Sequence, residues 1–138
     1  MVTQYVAIAA AVFAGIALLF NYFAFRKQQK NTKVNLLADF STRFFDLNHK
    51  QKDYVDKGKV GQFNVLFLNL LEWFAYLVNH KYLDFEMSEI YHGVIINWYN
   101  RVRLGQKEVL KGYYEDQKYK FSELDEFYKE LKIRGIVD

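Results

Sequence analysis

Residues 6–25 read VAIAAAVFAGIALLFNYFAF, an apolar run in which Asn21 is the only strongly polar side chain. At about 1.5 Å per residue, a helix of this length extends roughly 30 Å, the thickness of the hydrocarbon core of a bilayer. The run has no polar face to present to water. We therefore expect residues 1–25 to form one transmembrane helix.

A secretory signal peptide is the alternative interpretation of the same run. Such a peptide needs a basic region before its apolar segment and a small-residue cleavage site after it. Residues 1–5 contain no basic side chain, and the run ends in the bulky Tyr22 and Phe23. The sequence therefore favours a helix that the mature protein retains.

Four cations follow the apolar run, and no acidic residue comes before Asp39. They are Arg26, Lys27, Lys30 and Lys33. Because basic residues accumulate on the cytoplasmic side of membrane helices, we expect an inner-membrane protein with its N-terminus outside. Residues 26–33 are then a basic juxtamembrane segment that contacts anionic lipid headgroups, and residues 34–138 form a cytoplasmic domain.

Charge and composition exclude several classes of function. Residues 34–138 hold 15 of the 19 basic residues and all 16 acidic ones, so the net charge of +3 comes from the juxtamembrane segment. A nucleic-acid-binding domain needs a basic surface of its own, and we expect no such partner. The chain has no cysteine, which excludes disulfides, thiolate metal sites and a cysteine nucleophile.

Helical periodicity continues after the basic segment. An apolar seam with spacings of three, four and three residues consists of Leu37, Phe40, Phe44 and Leu47. Such a seam is typical of one helix packing on another, so we predict that the first helix continues without a break to about residue 47. A flexible hinge at residues 27–33 is the alternative. Residues 50–61 are polar, contain two glycines and are predicted to form a loop.

Three further helices are predicted, at residues 62–80, at about residues 85–104 and after Ser122. The first is the most hydrophobic and is expected to be the central core helix, with a second membrane span as the alternative. Ser122 and Asp125 resemble a capping box, and Gly135 marks the end of the last helix. We therefore predict an all-α fold with one transmembrane helix and a bundle of about four helices.

Residues 66–103 resemble the central segment of a group of uncharacterised prokaryotic proteins that carry an N-terminal membrane anchor. The matching positions are Asn69, Leu70, Leu71, Glu72, Leu83, Asp84, Trp98 and Tyr99. The resemblance covers about a third of the chain. It implies a single-pass, all-helical architecture and assigns no activity, cofactor or catalytic residue.

Two features stand out as candidate sites. Glu72 lies within an otherwise apolar helix, and a buried carboxylate needs a partner, so we expect an ion pair with Arg43, Arg101 or Arg103. In the apolar run, Ala7, Ala11 and Gly15 recur every four residues, a spacing of small residues that lets another helix approach closely. An alanine-rich span that only dissolves in lipid is the alternative.

The sequence also contains a pattern that resembles a metal-binding site. Glu89 and His92 have the Glu-x-x-His spacing that di-iron bundles use, Asp46 and His49 form a poorer copy, and Glu72 is a further carboxylate. Since a di-iron site needs two good units, we predict no metal and no cofactor.

The sequence contains no Gly-x-Ser-x-Gly elbow and no phosphate-binding loop, so we predict a protein that is not an enzyme. The expected function is that of an accessory or scaffolding subunit of a membrane complex, which binds partner subunits through its span and an aromatic-rich bundle. Tyr113, Tyr114 and Tyr119 are candidate contact residues in the bundle, and partly buried packing is the commoner explanation for them. A metal-binding bundle enzyme and a self-associating membrane-proximal sensor are the alternatives.

Overall fold

The computed structural model describes residues 2–104 and 121–138, except for the side chains of residues 2–11 and 102–104. Four α-helices occur in that part of the chain: α1 (Val2–Asp56), α2 (Val60–Asn79), α3 (Glu89–Trp98) and α4 (Ser122–Ile133). A 3₁₀ turn, Phe85–Ser88, precedes α3, and a π-helical segment, Tyr99–Leu104, follows it. No strand occurs within the described ranges, so the predicted all-α helical bundle is confirmed.

The chain divides into two compact units, Met1–Asn35 and Leu36–Asp138. In the first unit, residues 27–33 are helical, and the alternative of a hinge at this position is not observed. Among the residues that the structure describes, no helix combines the length and the apolar character that crossing a membrane requires. The transmembrane helix expected within residues 1–25 stays a prediction.

The predicted loop at residues 50–61 is wrong for most of its length, because α1 continues to Asp56. Ion pairs one turn apart support this part of the helix, with Nζ–carboxylate distances of 2.8 Å for Lys50 with Asp46 and 2.8 Å for Lys57 with Asp53. Each of these exposed pairs is only a weak contribution to helix stability. Packing adds to them, because the half-buried Tyr54 lies against the core, with its ring centroid 5.9 Å from that of Phe63 on α2.

A glycine in the left-handed region follows α1 and α4, in each case two residues after the last helical residue: Gly58 at φ +67° and Gly135 at φ +70°. After α4, the N–H of Gly135 donates to the carbonyl of Lys132 and that of Ile136 to the carbonyl of Leu131, both at 2.9 Å. This pair of bonds is a Schellman motif, which satisfies the last free carbonyls of a helix. The predicted end of the last helix is confirmed.

The core of the second unit is rich in aromatic rings, and the predicted seam on α1 contributes to it. Phe40 is fully buried, with its ring centroid 4.3 Å from that of Phe74 on α2 and 4.8 Å from that of Tyr91 on α3. Phe67 stacks on Trp98 at 4.3 Å. Three helices therefore meet around one aromatic cluster.

Helix α2 is the central helix of the second unit, as predicted. Nine of its side chains are buried: Phe63, Asn64, Phe67, Leu68, Leu71, Phe74, Ala75, Leu77 and Val78. Helix α4 packs mainly against α2, and its side chains Leu124, Phe127 and Leu131 are buried. This packing brings the start of α4 beside the C-terminal half of α2, where Glu72 lies.

Candidate functional site

The first candidate surface is the apolar part of α1 in the first unit. Nine large apolar or aromatic side chains are exposed there: Val12, Phe13, Ile16, Leu18, Leu19, Phe20, Tyr22, Phe23 and Phe25. Phe13 and Phe20 are each 72% exposed. Contiguous exposed apolar surface of this kind marks a site of contact with lipid or with another protein.

Gly15 lies on this apolar surface. A methyl group built on its Cα meets no atom within 4 Å, so the described part of the chain leaves open space on that side of the helix. The side chains of Ala7 and Ala11, the other two members of the predicted helix-packing face, lie outside the described residues. The helix-packing face therefore stays a prediction, and Gly15 is the one member of it whose surroundings the structure describes.

The basic segment begins where the apolar run ends. Arg26, Lys27 and Lys30 are exposed, and Lys33 is half-buried. The Nε–H of Arg26 donates to the hydroxyl oxygen of Tyr22 at 3.0 Å, and its Cζ lies 5.5 Å from the centroid of the Tyr22 ring. The contact fixes the guanidinium against the ring one turn earlier on the helix. Contact between these cations and lipid headgroups stays a prediction.

The second candidate is Glu72, the predicted buried charge. Its side chain is half-buried on α2, and its two carboxylate oxygens accept hydrogen bonds from the backbone N–H groups of Glu123 at 3.0 Å and Leu124 at 2.8 Å. Both N–H groups belong to the first turn of α4, where helical amides have no partner within the helix. A carboxylate at this position also meets the positive end of the helix dipole.

The ion pair predicted for Glu72 is wrong for two of its three candidates. In the described part of the chain, no ion pair joins Glu72 to Arg43 or Arg101, and the side chain of Arg103 lies outside that part. Arg43 instead contacts Asp39 on its own helix, with 3.1 Å between Nε and Oδ2. The helix terminus replaces the arginine because it offers two fixed donors at no cost in side-chain entropy.

The predicted capping box of α4 is also wrong. Phe121 is the residue that caps the helix, and it supplies no side-chain hydrogen bond, while Ser122 is the first helical residue. The positions that a capping side chain normally reaches are the second and third helical amides, which here belong to Glu123 and Leu124. Glu72 takes over that role from a different helix.

The charge state of Glu72 reflects opposing influences. Burial is the largest and raises its pKa, the hydrogen bonds from the N–H groups of Leu124 and Glu123 lower it, and the neighbouring carboxylates of Glu123 and Asp125 raise it again. The net effect is a pKa above the ordinary value of a glutamate. The site thus holds the carboxylate firmly while weakening its preference for the charged form.

Glu123 completes a cluster that we name the polar junction, formed by Glu72, Asn79, His80 and Glu123. The Nδ2 of Asn79 donates to the Oε2 and to the backbone carbonyl of Glu123, each at 2.9 Å. His80 Nε2 lies 3.0 Å from Glu123 Oε1. The Asn79 donor first, and then His80, lower the pKa of Glu123. The junction attaches the start of α4 to α2.

The structure does not assemble the metal-binding pattern. Glu89 is exposed, whereas His92 is buried, and no group of three or more potential ligands comes together among the described residues. The Ser88 hydroxyl donates to the carbonyl of Phe85 at 2.6 Å and therefore accepts from His92 Nε2–H at 2.7 Å. Burial, the largest influence, lowers the pKa of His92.

Sequence analysis missed one surface feature, a shallow groove between α1 and α2. It has a volume of about 330 Å³ and is lined by Arg43, Leu47, Leu66, Asn69, Leu70 and Trp73. The α2 members recur at spacings of three, one and three residues along the border of its buried face, and Leu70 and Trp73 also pack partly against the core. That second stripe was hidden because α2 is apolar around most of its circumference.

No protein-family model matches this sequence, and neither a curated protein nor a solved structure is significantly similar to it. The resemblance carried by residues 66–103 therefore stays a prediction. The candidate contact residues Tyr113, Tyr114 and Tyr119 lie outside the described residues.

Proposed function

We propose that this protein is a non-catalytic accessory or scaffolding subunit of a membrane protein complex. A single transmembrane helix within residues 1–25 anchors it, its N-terminus lies outside, and its helical bundle lies in the cytoplasm. The observation that carries the proposal is the row of exposed apolar side chains on α1 between Val12 and Phe25.

Burial of that row would release a large free energy. Removing a large apolar side chain from water is worth about 1.5–3 kcal/mol. Nine such side chains are spread over about four turns of one helix, and their exposure to water is unfavourable. Transfer of this row out of water is therefore strongly favoured. Lipid chains and the apolar faces of partner helices are the two surroundings that supply the missing contacts.

The charge distribution supports the orientation. Arg26, Lys27, Lys30 and Lys33 follow directly, with no acidic residue before Asp39. Each cation near an anionic leaflet contributes on the order of 1 kcal/mol. The cations favour the side of the membrane on which positive residues accumulate, which is the cytoplasmic side.

Two features support a role in assembly. The open space at Gly15 allows another helix to approach the backbone of α1 closely. The shallow groove beside Trp73 leaves apolar surface accessible on the bundle. We favour a hetero-complex with other membrane subunits, and a homo-oligomer is the alternative outcome.

Membrane attachment is tested with two matched substitutions on α1. Phe13 and Phe45 are both exposed phenylalanines, at 72% and 57%, but only Phe13 lies in the apolar run. A lysine near the middle of a span costs about 2.5–3.5 kcal/mol on insertion scales. We expect Phe13→Lys to release the full chain from membranes washed with alkaline carbonate, and Phe45→Lys to leave it attached.

Release of the wild-type chain by the same wash would overturn the membrane assignment. Assembly is then tested by cross-linking mass spectrometry in native membranes. The proposal expects cross-links from lysines of the second unit to other membrane proteins, on the cytoplasmic side. Cross-links confined to copies of this chain would replace the accessory subunit with a homo-oligomer.

A further inference from the structure

The contact between Tyr22 and Arg26 lies where the apolar run meets the basic segment. Arg26 Nε donates to the Tyr22 hydroxyl at 3.0 Å, and the guanidinium carbon lies 5.5 Å from the ring centroid. The two residues are one helical turn apart and therefore lie on the same side of α1. An exposed arginine is normally free to adopt many rotamers, and this contact restricts the choice.

The remaining donors of Arg26 are available to a ligand. A guanidinium has five N–H donors, and the contact with Tyr22 occupies one of them. Within the described part of the chain, Arg26 has no further hydrogen-bond acceptor or ion-pair partner. The edge formed by the two terminal nitrogens stays open, and that edge matches the spacing of two phosphate oxygens.

The surroundings favour an anion. Lys30 lies one turn further along the same side, Lys27 is adjacent, and no carboxylate precedes Asp39. Lys33 is seven residues from Arg26, or about 10 Å along the helix axis. Since the screening length at physiological salt is about 8 Å, the cations nearest to Arg26 contribute most.

We propose that Arg26, oriented by Tyr22, binds the phosphate of an anionic phospholipid headgroup. The inference rests on the proposed membrane attachment and adds a specific lipid contact to it. A lipid is favoured over free phosphate because Phe23 and Phe25, which are 65% and 57% exposed, flank the same end of the run and offer apolar contacts to acyl chains. Arg26 is the binding residue, and Tyr22 is a positioning residue.

The test uses the full chain in bilayers of phosphatidylglycerol and phosphatidylcholine, in a buffer without phosphate. The arginines are labelled at the guanidinium carbon, and solid-state NMR measures the dipolar coupling between this carbon and lipid phosphorus. The Arg26 signal is identified as the one that is lost in Arg26→Lys. We expect coupling for Arg26, and loss of most of it in Tyr22→Phe, which keeps the ring and removes the hydroxyl. Tyr82→Phe, which removes an exposed hydroxyl in the second unit, should leave the signal unchanged.

A second measurement separates hydrogen-bond geometry from charge. Arg26→Lys keeps the charge but loses the two-pronged edge, so we expect the preference for phosphatidylglycerol over phosphatidylcholine to fall roughly three- to tenfold. Lys52→Arg, at an exposed cation of α1 outside the basic segment, should leave that preference nearly unchanged.

Three results would count against the proposal, and they differ in what they overturn. If the wild-type chain inserts in bilayers but Arg26 shows no coupling to phosphorus, the lipid contact is wrong and membrane attachment stands. If the chain does not insert, both are wrong. If inorganic phosphate in detergent gives the same coupling as the bilayer, the site binds free phosphate and the assignment to lipid falls.

Discussion

The carboxylate of Glu72 accepts a hydrogen bond from the backbone N–H of Leu124 at 2.8 Å, although the two residues are 52 positions apart in the chain. The neighbouring N–H of Glu123 donates to the same carboxylate at 3.0 Å. One acidic side chain on α2 therefore performs the N-terminal capping of α4. The stability of the last helix depends on a residue of the central helix.

Removal of this carboxylate should destabilise the second unit. We expect Glu72→Ala to lower the free energy of unfolding by about 1–2 kcal/mol, since two helical N–H groups lose their acceptor. Glu72→Gln keeps one acceptor oxygen and should cost less. Urea unfolding of the full chain in detergent, followed by the fluorescence of Trp73 and Trp98, measures the change. Glu86→Ala, at an exposed acid, is the control, and an equal loss in both alanine variants would contradict the capping role.

Loss of the central aromatic ring should be more severe. Phe40 is fully buried between rings of α2 and α3, so Phe40→Ala is expected to cost about 3–5 kcal/mol. Phe45→Ala removes the same group from an exposed position on the same helix and should change stability by less than about 0.5 kcal/mol. The same urea titration measures both, and similar midpoints for the two variants would show that the aromatic cluster does not hold α1 in place.

The buried His92 should make stability depend on pH. Burial lowers its pKa in the folded state, so below the ordinary value near 6.5 the unfolded chain takes up a proton that the folded chain resists. The contribution of His92 is therefore fully present above that value and is lost as the pH falls towards the lowered pKa. Glu72, whose pKa is raised, acts in the opposite direction and loses its contribution as the pH rises above the ordinary glutamate value.

The variant His92→Gln separates the contribution of His92 to the pH dependence from that of Glu72. We expect the free energy of unfolding of the wild-type chain to decrease between pH 7 and pH 5 more steeply than that of His92→Gln, whose amide can still donate to Ser88. His49→Gln, at an exposed histidine on α1, should keep the wild-type slope. Equal slopes for wild type and His92→Gln would assign the pH dependence to other groups.

Gly15 provides the test of the helix-packing face. Because a side chain there meets open space within the described chain, Gly15→Leu should leave the protein folded and attached to the membrane. A leucine would, however, hold a partner helix away from the backbone. We expect weaker co-purification with membrane partners, measured by quantitative mass spectrometry, and no change for Phe20→Leu. Unchanged co-purification in Gly15→Leu would remove the packing face.

Local patterns predicted much of the fold. The seam containing Phe40 and Phe44, the apolar helix around Phe67 and the glycine stop at Gly135 each depend on residues that are close in sequence. Periodicity and turn chemistry act over the same short range, which is why these predictions are confirmed. The all-α class followed from the same evidence.

The failures involve information that the local sequence does not hold. Residues 50–56 are polar and resemble a loop, yet α1 continues through them, and Tyr54 packs on Phe63 of α2. The partner of Glu72 was expected to be an arginine, because charge suggests a countercharge and nothing in the sequence announces a distant helix terminus. Ser122 resembled a cap because the local sequence does not show which residues of other helices come near the start of α4. The packing of α4 on α2 places Glu72 there, and Glu72 caps the helix.

The capping of α4 by α2 also bears on where the chain tolerates interruption. A polypeptide that stopped before Ser122 would lose the twelve residues of α4. It would also uncover the surface of α2 around position 72, so the central helix would lose both the packing of α4 and its hydrogen bonds to the first turn of that helix. Translation errors or proteolytic clipping near the C-terminus should therefore weaken the middle of the bundle, far along the chain from the break.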